Sequence, residues 1–257
     1  LMKMGEPGVP EMNAYIEEVL KEGETLGFDG RVVSVGEGEG YAAIAGKKNA
    51  KVNYQVDLID EIWEDRPVLS EEPAFNLDVK YAGETVASKL ARIREEMKEA
   101  GTNVHVVSTI DDICWTLNIR GNDIDFFPLV LSYGIITMDS FELYIDEKKL
   151  DDKLKAKLAK DGVNLHPHND IYEDVKKFGS DVVAMIDPGK LNYALFNNIP
   201  ENVKTVEKRN PAILMKAIKN PVEIENIRKA QIKDSVAHVR FMKWLKENVG
   251  KMRITEM

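Results

Sequence analysis

One cysteine, Cys114, stands among the 257 residues. With no second thiol, an intrachain disulfide is excluded, and so is a zinc site built on paired cysteines. A lone Cys in an acidic chain suits a reducing compartment, so the cytoplasm is the expected location. Long apolar runs are lacking too. No stretch approaches the roughly 18 residues of a membrane-spanning helix, and no basic segment leading into an apolar core is visible at the start. Basic residues are the minority: 35 Lys and Arg face 44 Asp and Glu, a net charge of −9. Phosphate backbones and anionic lipids are held by clustered Lys and Arg, so neither nucleic acid nor membrane is an expected partner. Gly-x-Ser-x-Gly, His-Glu-x-x-His and Walker loops are also missing. By themselves the residues show no complete active site.

What is present is the balance of a globular protein, 44% apolar and 31% charged, too apolar for disorder. At about 150 residues per domain the length suggests two domains. Residues 12–21 have helical spacing, with Tyr15, Ile16, Val19 and Leu20 on one face. Residues 25–29 read as a short strand, Ser34 caps a helix through Ile44, 51–56 is a strand and 58–63 a short helix. Residues 65–73 are polar and without period, a linker. Next come a helix over 85–100, with Val86, Leu90, Ile93 and Met97 in register, and a strand over 104–108. Thr109 and Asp112 have capping-box spacing ahead of a helix over 113–117. Strands over 130–138 and 141–145 form a hairpin, so the sheet is mixed. Helices over 150–160, 169–178 and 191–196 alternate with strands over 181–186 and 203–206, an α/β order. Last, Asn220 caps a helix with Pro221 at N1 and Glu223 at N3. It runs roughly 29 residues, about 43 Å, with a mostly apolar stripe from Ile227 to Val249 that needs a partner surface.

Chemical candidates are few. Gly36, Gly38 and Gly40 resemble a phosphate loop only superficially, because Glu37 and Glu39 would repel the ligand. His166 and His168 flank Pro167 and lack a third metal ligand nearby; a solvated loop is the simpler reading. Asp111 and Asp112 suit a helix N-terminus. Asp123 and Asp125 follow a turn, and Arg120 could pair with Asp123 or with a carboxylate ligand. Cys114 reads as an inert core thiol rather than a nucleophile served by His105. His238 reads as a packed or flanking residue of the long helix.

Five strings carry more. Residues 60–67 read Asp-Glu-Ile-Trp-Glu-Asp-Arg-Pro, residues 115–124 Trp-Thr-Leu-Asn-Ile-Arg-Gly-Asn-Asp-Ile, and residues 131–137 Leu-Ser-Tyr-Gly-Ile-Ile-Thr. Residues 216–230 read Lys-Ala-Ile-Lys-Asn-Pro-Val-Glu-Ile-Glu-Asn-Ile-Arg-Lys-Ala, and residues 1–5 Leu-Met-Lys-Met-Gly. In this order, over nearly the whole chain, they resemble the aminopeptidase P (Xaa-Pro aminopeptidase) family of creatinase/prolidase-like metallopeptidases. Two positions depart from the family pattern: Phe127-Pro128 stands where Asn-Pro is usual, and Gln231 where a His is common.

The resemblance implies an α/β protein with two creatinase N-terminal-like domains, each a mixed sheet flanked by helices, the first incomplete. On that layout residues 1–66 are the later part of the first domain, 67–218 the middle domain, and 219–257 the first helix of a pita-bread catalytic domain. The family removes the N-terminal residue before proline, using two divalent metals, manganese or zinc, in a two-metal hydrolysis. Its ligands, two Asp, one His and two Glu, follow the long helix, so none is placed in this chain, and the chain alone is expected to be inactive. The implied partners are a proline-containing peptide and a second copy of the chain, as a dimer. Trp115, Arg120 and Asp123 are the candidates for the substrate cleft or a domain interface. The rival readings are a metal-less module that binds peptides or proteins, and a prolidase- or creatinase-type hydrolase. The chain opens on Leu1 and stops just after a helix-start signal at Thr255-Glu256, so it is expected to be an inner piece of a longer protein.

Overall fold

The computed structural model describes residues 2–256; Leu1, the first residue of the 1–5 string, and Met257 lie outside it. The first layer is built from α1 (Met12–Val19), β1 (Thr25–Gly27), α2 (Val35–Lys47) and β2 (Lys51–Asn53). The two strands pair in parallel, Thr25 opposite Lys51. Ser34 and Glu37 close a reciprocal capping box at the start of α2, which satisfies two of the N–H groups that a helix start leaves open. The glycine-rich run therefore lies inside a helix. Gly38 is needed for close approach: a Cβ there would enter the ring of Tyr193.

The expected helix over 58–63 is a single turn. Ile62 and Trp63 both donate their N–H to the Ile59 carbonyl. The Asp57 carboxylate accepts from the Ile59 N–H and holds Arg31 and Arg66, which favours a local turn. Leu58, Ile59, Ile62 and Trp63 stay exposed, so no burial offsets the cost of nucleating a longer helix.

The larger layer, built on a six-stranded sheet, follows the 64–74 stretch. In chain order it contains β3 (Phe75–Asn76), α3 (Val79–Ala82), α4 (Val86–Glu99), β4 (Val104–Val107), α5 (Ile110–Leu117), β5 (Ile119–Arg120), β6 (Ser132–Thr137) and β7 (Phe141–Ile145). Then come α6 (Asp152–Lys160), β8 (Val163–His166), α7 (Ile171–Asp174), β9 (Val183–Ile186), α8 (Tyr193–Asn197), β10 (Lys204–Glu207) and α9 (Pro211–Ala217). Six strands form one sheet in the order β10-β9-β4-β6-β7-β8. β4 is parallel to β9 and antiparallel to β6, and the β6–β7 hairpin is antiparallel as read. The sheet is mixed, with helices on both faces.

Alternation along the strands separates two cores. Val107, Ile136, Leu143 and Met185 pack with Leu90, Ile93 and Met97 of α4 and with Ile113 and Leu117 of α5. Val104, Val106, Ile135 and Ile186 pack on the other face with Ile171, Leu195 and Val35. Val35 belongs to α2, so the first layer shares a core with the six-stranded sheet. Main-chain hydrogen bonds reinforce this junction: Val35 N–H to Leu191 O, Tyr193 N–H to Val33 O and Ala194 N–H to Gly30 O.

Sequence reading missed β3, β5, β8, α3 and α9. Each is four residues or fewer except α9, a seven-residue helix; such segments are too short to show a period. The expected helix over 169–178 is three short pieces, α7 flanked by 3₁₀ turns. The box expected at Thr109 is not formed. Its hydroxyl donates to the buried Asp112 carboxylate at 2.6 Å instead of capping the helix backbone. The final helix, α10 (Pro221–Asn248), carries the full Asn220–Glu223 capping box with Pro221 at its start. Gly250 takes the left-handed conformation just past its end. None of its residues is buried, and Ile232, Val236, Val239 and Trp244 lie open.

Candidate functional site

The sequence candidates converge on the C-terminal end of α5. A helix end leaves its last carbonyls without partners and carries partial negative charge. Here three cations take them: Arg120 donates to Cys114 O at 2.8 Å, Lys89 to Trp115 O at 2.7 Å and Lys157 to Leu117 O at 3.0 Å. Asn118, at φ +53°, ends the helix in the left-handed conformation, accepts from Lys89 and donates to Glu84 O. The Lys89 ammonium sits 4.3 Å from the centre of the Trp115 ring. Burial pushes the Lys89 amine down to about 8 and also lowers Arg120.

Trp115 is thus buried as the lid on a lysine. Arg120 does not pair with Asp123; the Glu223 carboxylate, in the first turn of α10, acts on it electrostatically. Asp123 is fully buried, accepting from the Leu131 N–H at 2.7 Å and from Lys149 Nζ. Gly121 is required beside it, because a Cβ would meet the Val130 side chain. All three candidates therefore face protein, and they fix the loop that joins α5 to β6. Lys89 went unnoticed in the sequence, although it falls within the apolar period of α4, three after Val86 and four before Ile93. A charge on that stripe is the signal that marks it.

Junction contacts continue to the long helix. Asn220 donates to Ala82 O at 2.8 Å and Asn226 to Tyr81 O at 3.3 Å. The start of α10 is thereby fastened to the α3–α4 corner, while the rest of the helix extends away.

The remaining candidates are structural. Asp112 is buried and receives Thr109, Asn210 and Lys216. Cys114 is buried, its thiol accepts from the Val130 N–H, and burial pushes it up to about 11. His105 bonds to Met185 O and Asn210, not to the cysteine. His166 pairs with Glu142 at 2.7 Å, whereas His168 lies against Tyr133, so the two histidines diverge. His238 is exposed. Among the described residues no group of three or more His, Cys, Asp or Glu is placed to hold a metal ion. No helix of the described residues is long and apolar enough to cross a membrane.

A family model described as the creatinase/prolidase N-terminal domain matches residues 65–223. The chain belongs to this family. Around the creatinase/prolidase domain the likeness extends to both ends of the chain. A probable Xaa-Pro aminopeptidase P of Sordaria macrospora is 32% identical over 268 residues, covering 97% of this chain and 42% of the relative. Xaa-Pro aminopeptidase 1 of Dictyostelium discoideum is 34% identical, covering 97% and 41%. Among solved structures, the X-prolyl aminopeptidase of Caenorhabditis elegans is described as a cytosolic enzyme with a dinuclear active site. It superposes with a TM-score of 0.89 at 30% identity, over 96% of this chain and 41% of that one. The chain thus spans about two fifths of the length of the relatives it matches.

Proposed function

We propose that this chain is the non-catalytic front and middle region of a metal-dependent Xaa-Pro aminopeptidase, which removes the N-terminal residue preceding proline. The observation that carries this reading is the match to the C. elegans enzyme over 96% of the chain at 30% identity. On this reading residues 1–66 close a first creatinase-like domain, 67–218 form the middle domain, and 219–257 open the catalytic domain. Two divalent ions, manganese or zinc, are held by residues outside these 257, and the enzyme works in the cytoplasm as a dimer. The exposed apolar stripe of α10 supports the reading, since such a face calls for a covering surface. Arg120 acts as a positioning residue: it closes the end of α5 next to the first turn of α10, and so sets the approach to the catalytic domain.

The test is hydrolysis. The enzyme that contains this chain, loaded with Mn²⁺ or Zn²⁺, should release the first residue from Ala-Pro-Ala, and the 257-residue chain alone should not with either metal. Release by the chain alone overturns the scaffold role. No release by the metal-loaded enzyme overturns the aminopeptidase reading. Arg120→Ala in that enzyme should lower kcat/KM; if both kcat/KM and stability stay unchanged, the positioning role is wrong.

A further inference from the structure

A groove of two joined lobes, about 580 and 550 Å³, runs between the 67–70 strap and one end of the six-stranded sheet, across its strand termini. Leu69, Leu131, His168 and Asn169 line both lobes. This end gathers the C-terminal ends of β4, β7 and β8, the side of an open α/β sheet where ligands collect. Each lobe is of ligand-pocket size. The strap is fixed at both ends, by Arg66 to Asp57 and by Glu71 to Lys148. Between these anchors Val68 is 90% and Leu69 66% exposed, so the strap spans the groove without filling it.

The charges in the groove are unbalanced toward acid. In the first lobe Glu147 and Lys149 are neutralised by Lys155 and Asp123, whereas Asp146 and Asp170 have no ion-pair partner among the described residues. In the second lobe Asp29, Asp57 and Asp60 outnumber Arg31 and Arg66. His168 adds an acceptor rather than a charge: its Nδ1 bonds Asn169 Oδ1, and burial holds the ring below the usual imidazole range. Tyr133 and Tyr172, joined through their hydroxyls at 3.1 Å, add aromatic surface, which favours a cation.

The lining holds an independent sign of a polar ligand. Lys149 lines the groove, is 3% exposed, and uses one N–H on Asp123, so two of its donors are unmet among the described residues. Asp123 Oδ1 beside it is buried and likewise without a partner among them. Buried polar groups are normally satisfied, and a lining lysine with donors to spare suits an incoming carbonyl.

We propose that this groove binds an extended peptide segment carrying a basic side chain. Its guanidinium or ammonium lies against Asp146 and Asp170, its apolar neighbours lie on Leu69 and Leu131, and a main-chain carbonyl accepts from Lys149. The proposal is independent of the hydrolytic reading, because binding needs only these 257 residues and no metal.

Fluorescence anisotropy of fluorescein-labelled Gly-Leu-Arg-Leu-Gly, titrated with the metal-free chain at low salt, tests it. Saturable binding is expected, with little binding of the Glu analogue of the same peptide. Asp146→Asn with Asp170→Asn should weaken the Arg peptide by about tenfold or more. Asn at 146 can still accept from the Lys148 N–H that Asp146 caps, so the fold is kept, and an unchanged melting curve verifies it. Glu95→Gln with Glu225→Gln, which removes the same charge outside the groove, should leave binding unchanged. Equal binding of the Arg and Glu peptides, no saturable binding, or equal loss in both double variants would overturn the proposal.

Discussion

Lys89 offers the sharpest test of the cap on α5. Its ammonium is 1% exposed and has no carboxylate within ion-pair distance among the described residues; it is held by Trp115 O, Asn118 Oδ1 and the Trp115 ring. Burial disfavours the charged form, and the amine is pushed down from 10.5 to about 8. An unfolded chain restores the ordinary value, so between pH 8 and 10.5 the unfolded state binds more protons than the native one. Stability from this group must then rise with pH across that window and be flat below it. At 1.36 kcal/mol per unit, the rise between pH 8 and pH 10 is at most nearly 3 kcal/mol. The assay is urea unfolding at pH 7, 8, 9 and 10 for the native chain and for Lys89→Met, which cannot titrate. Subtracting the variant removes every other titrating group. The native chain should gain about 2 to 3 kcal/mol on the variant from pH 7 to pH 10. A difference that stays flat, or falls, refutes the picture of a desolvated lysine held by carbonyls.

Three further outcomes follow from contacts described above. Gly38→Ala should cost about 1–3 kcal/mol of stability, because the new methyl enters the Tyr193 ring. Gly46→Ala in the same helix meets no heavy atom within 4 Å and should add up to about 1 kcal/mol, so opposite shifts in urea midpoint are the readout. Asp123→Asn removes the carboxylate opposite the buried Lys149 ammonium and should cost about 3–5 kcal/mol; a loss under 1 kcal/mol in urea unfolding would show the pair to be dispensable. Cys114 should resist Ellman's reagent in the native state and react once urea unfolds the chain, since its thiol is buried and pushed up to about 11.

The parts of the fold that were legible are those where a period or a cap is long enough to register. The apolar stripe of α4, the capping boxes at Ser34 and Asn220 and the hairpin around Asp139 each state themselves in the residues. β8, at four residues, and α9 lie below that length. Residues 58–63 misled because Leu58, Ile59, Ile62 and Trp63 have helical spacing, yet stay exposed. Arg120 and Asp123 were readable as important but not as separate. Adjacent in a turn, they suggest a pair, and only three dimensions show each turned to a different partner, Arg120 to the carbonyls of α5 and Asp123 to Lys149. The groove under the strap was invisible, because its walls come from segments more than a hundred residues apart, such as Asp29 and Asn169.

The seam between the first layer and the larger one runs through Val35, Tyr193 and Ala194, all donating from the main chain. A bond made by backbone alone is indifferent to side-chain identity. The three bonds themselves therefore tolerate a change of side chain, while the packing around them does not: a Cβ on Gly38 would enter the Tyr193 ring and one on Gly30 would crowd Ala194. The change the bonds cannot absorb is proline, which deletes the donor. A proline at any of these three positions would remove a bond that a side-chain replacement would leave in place.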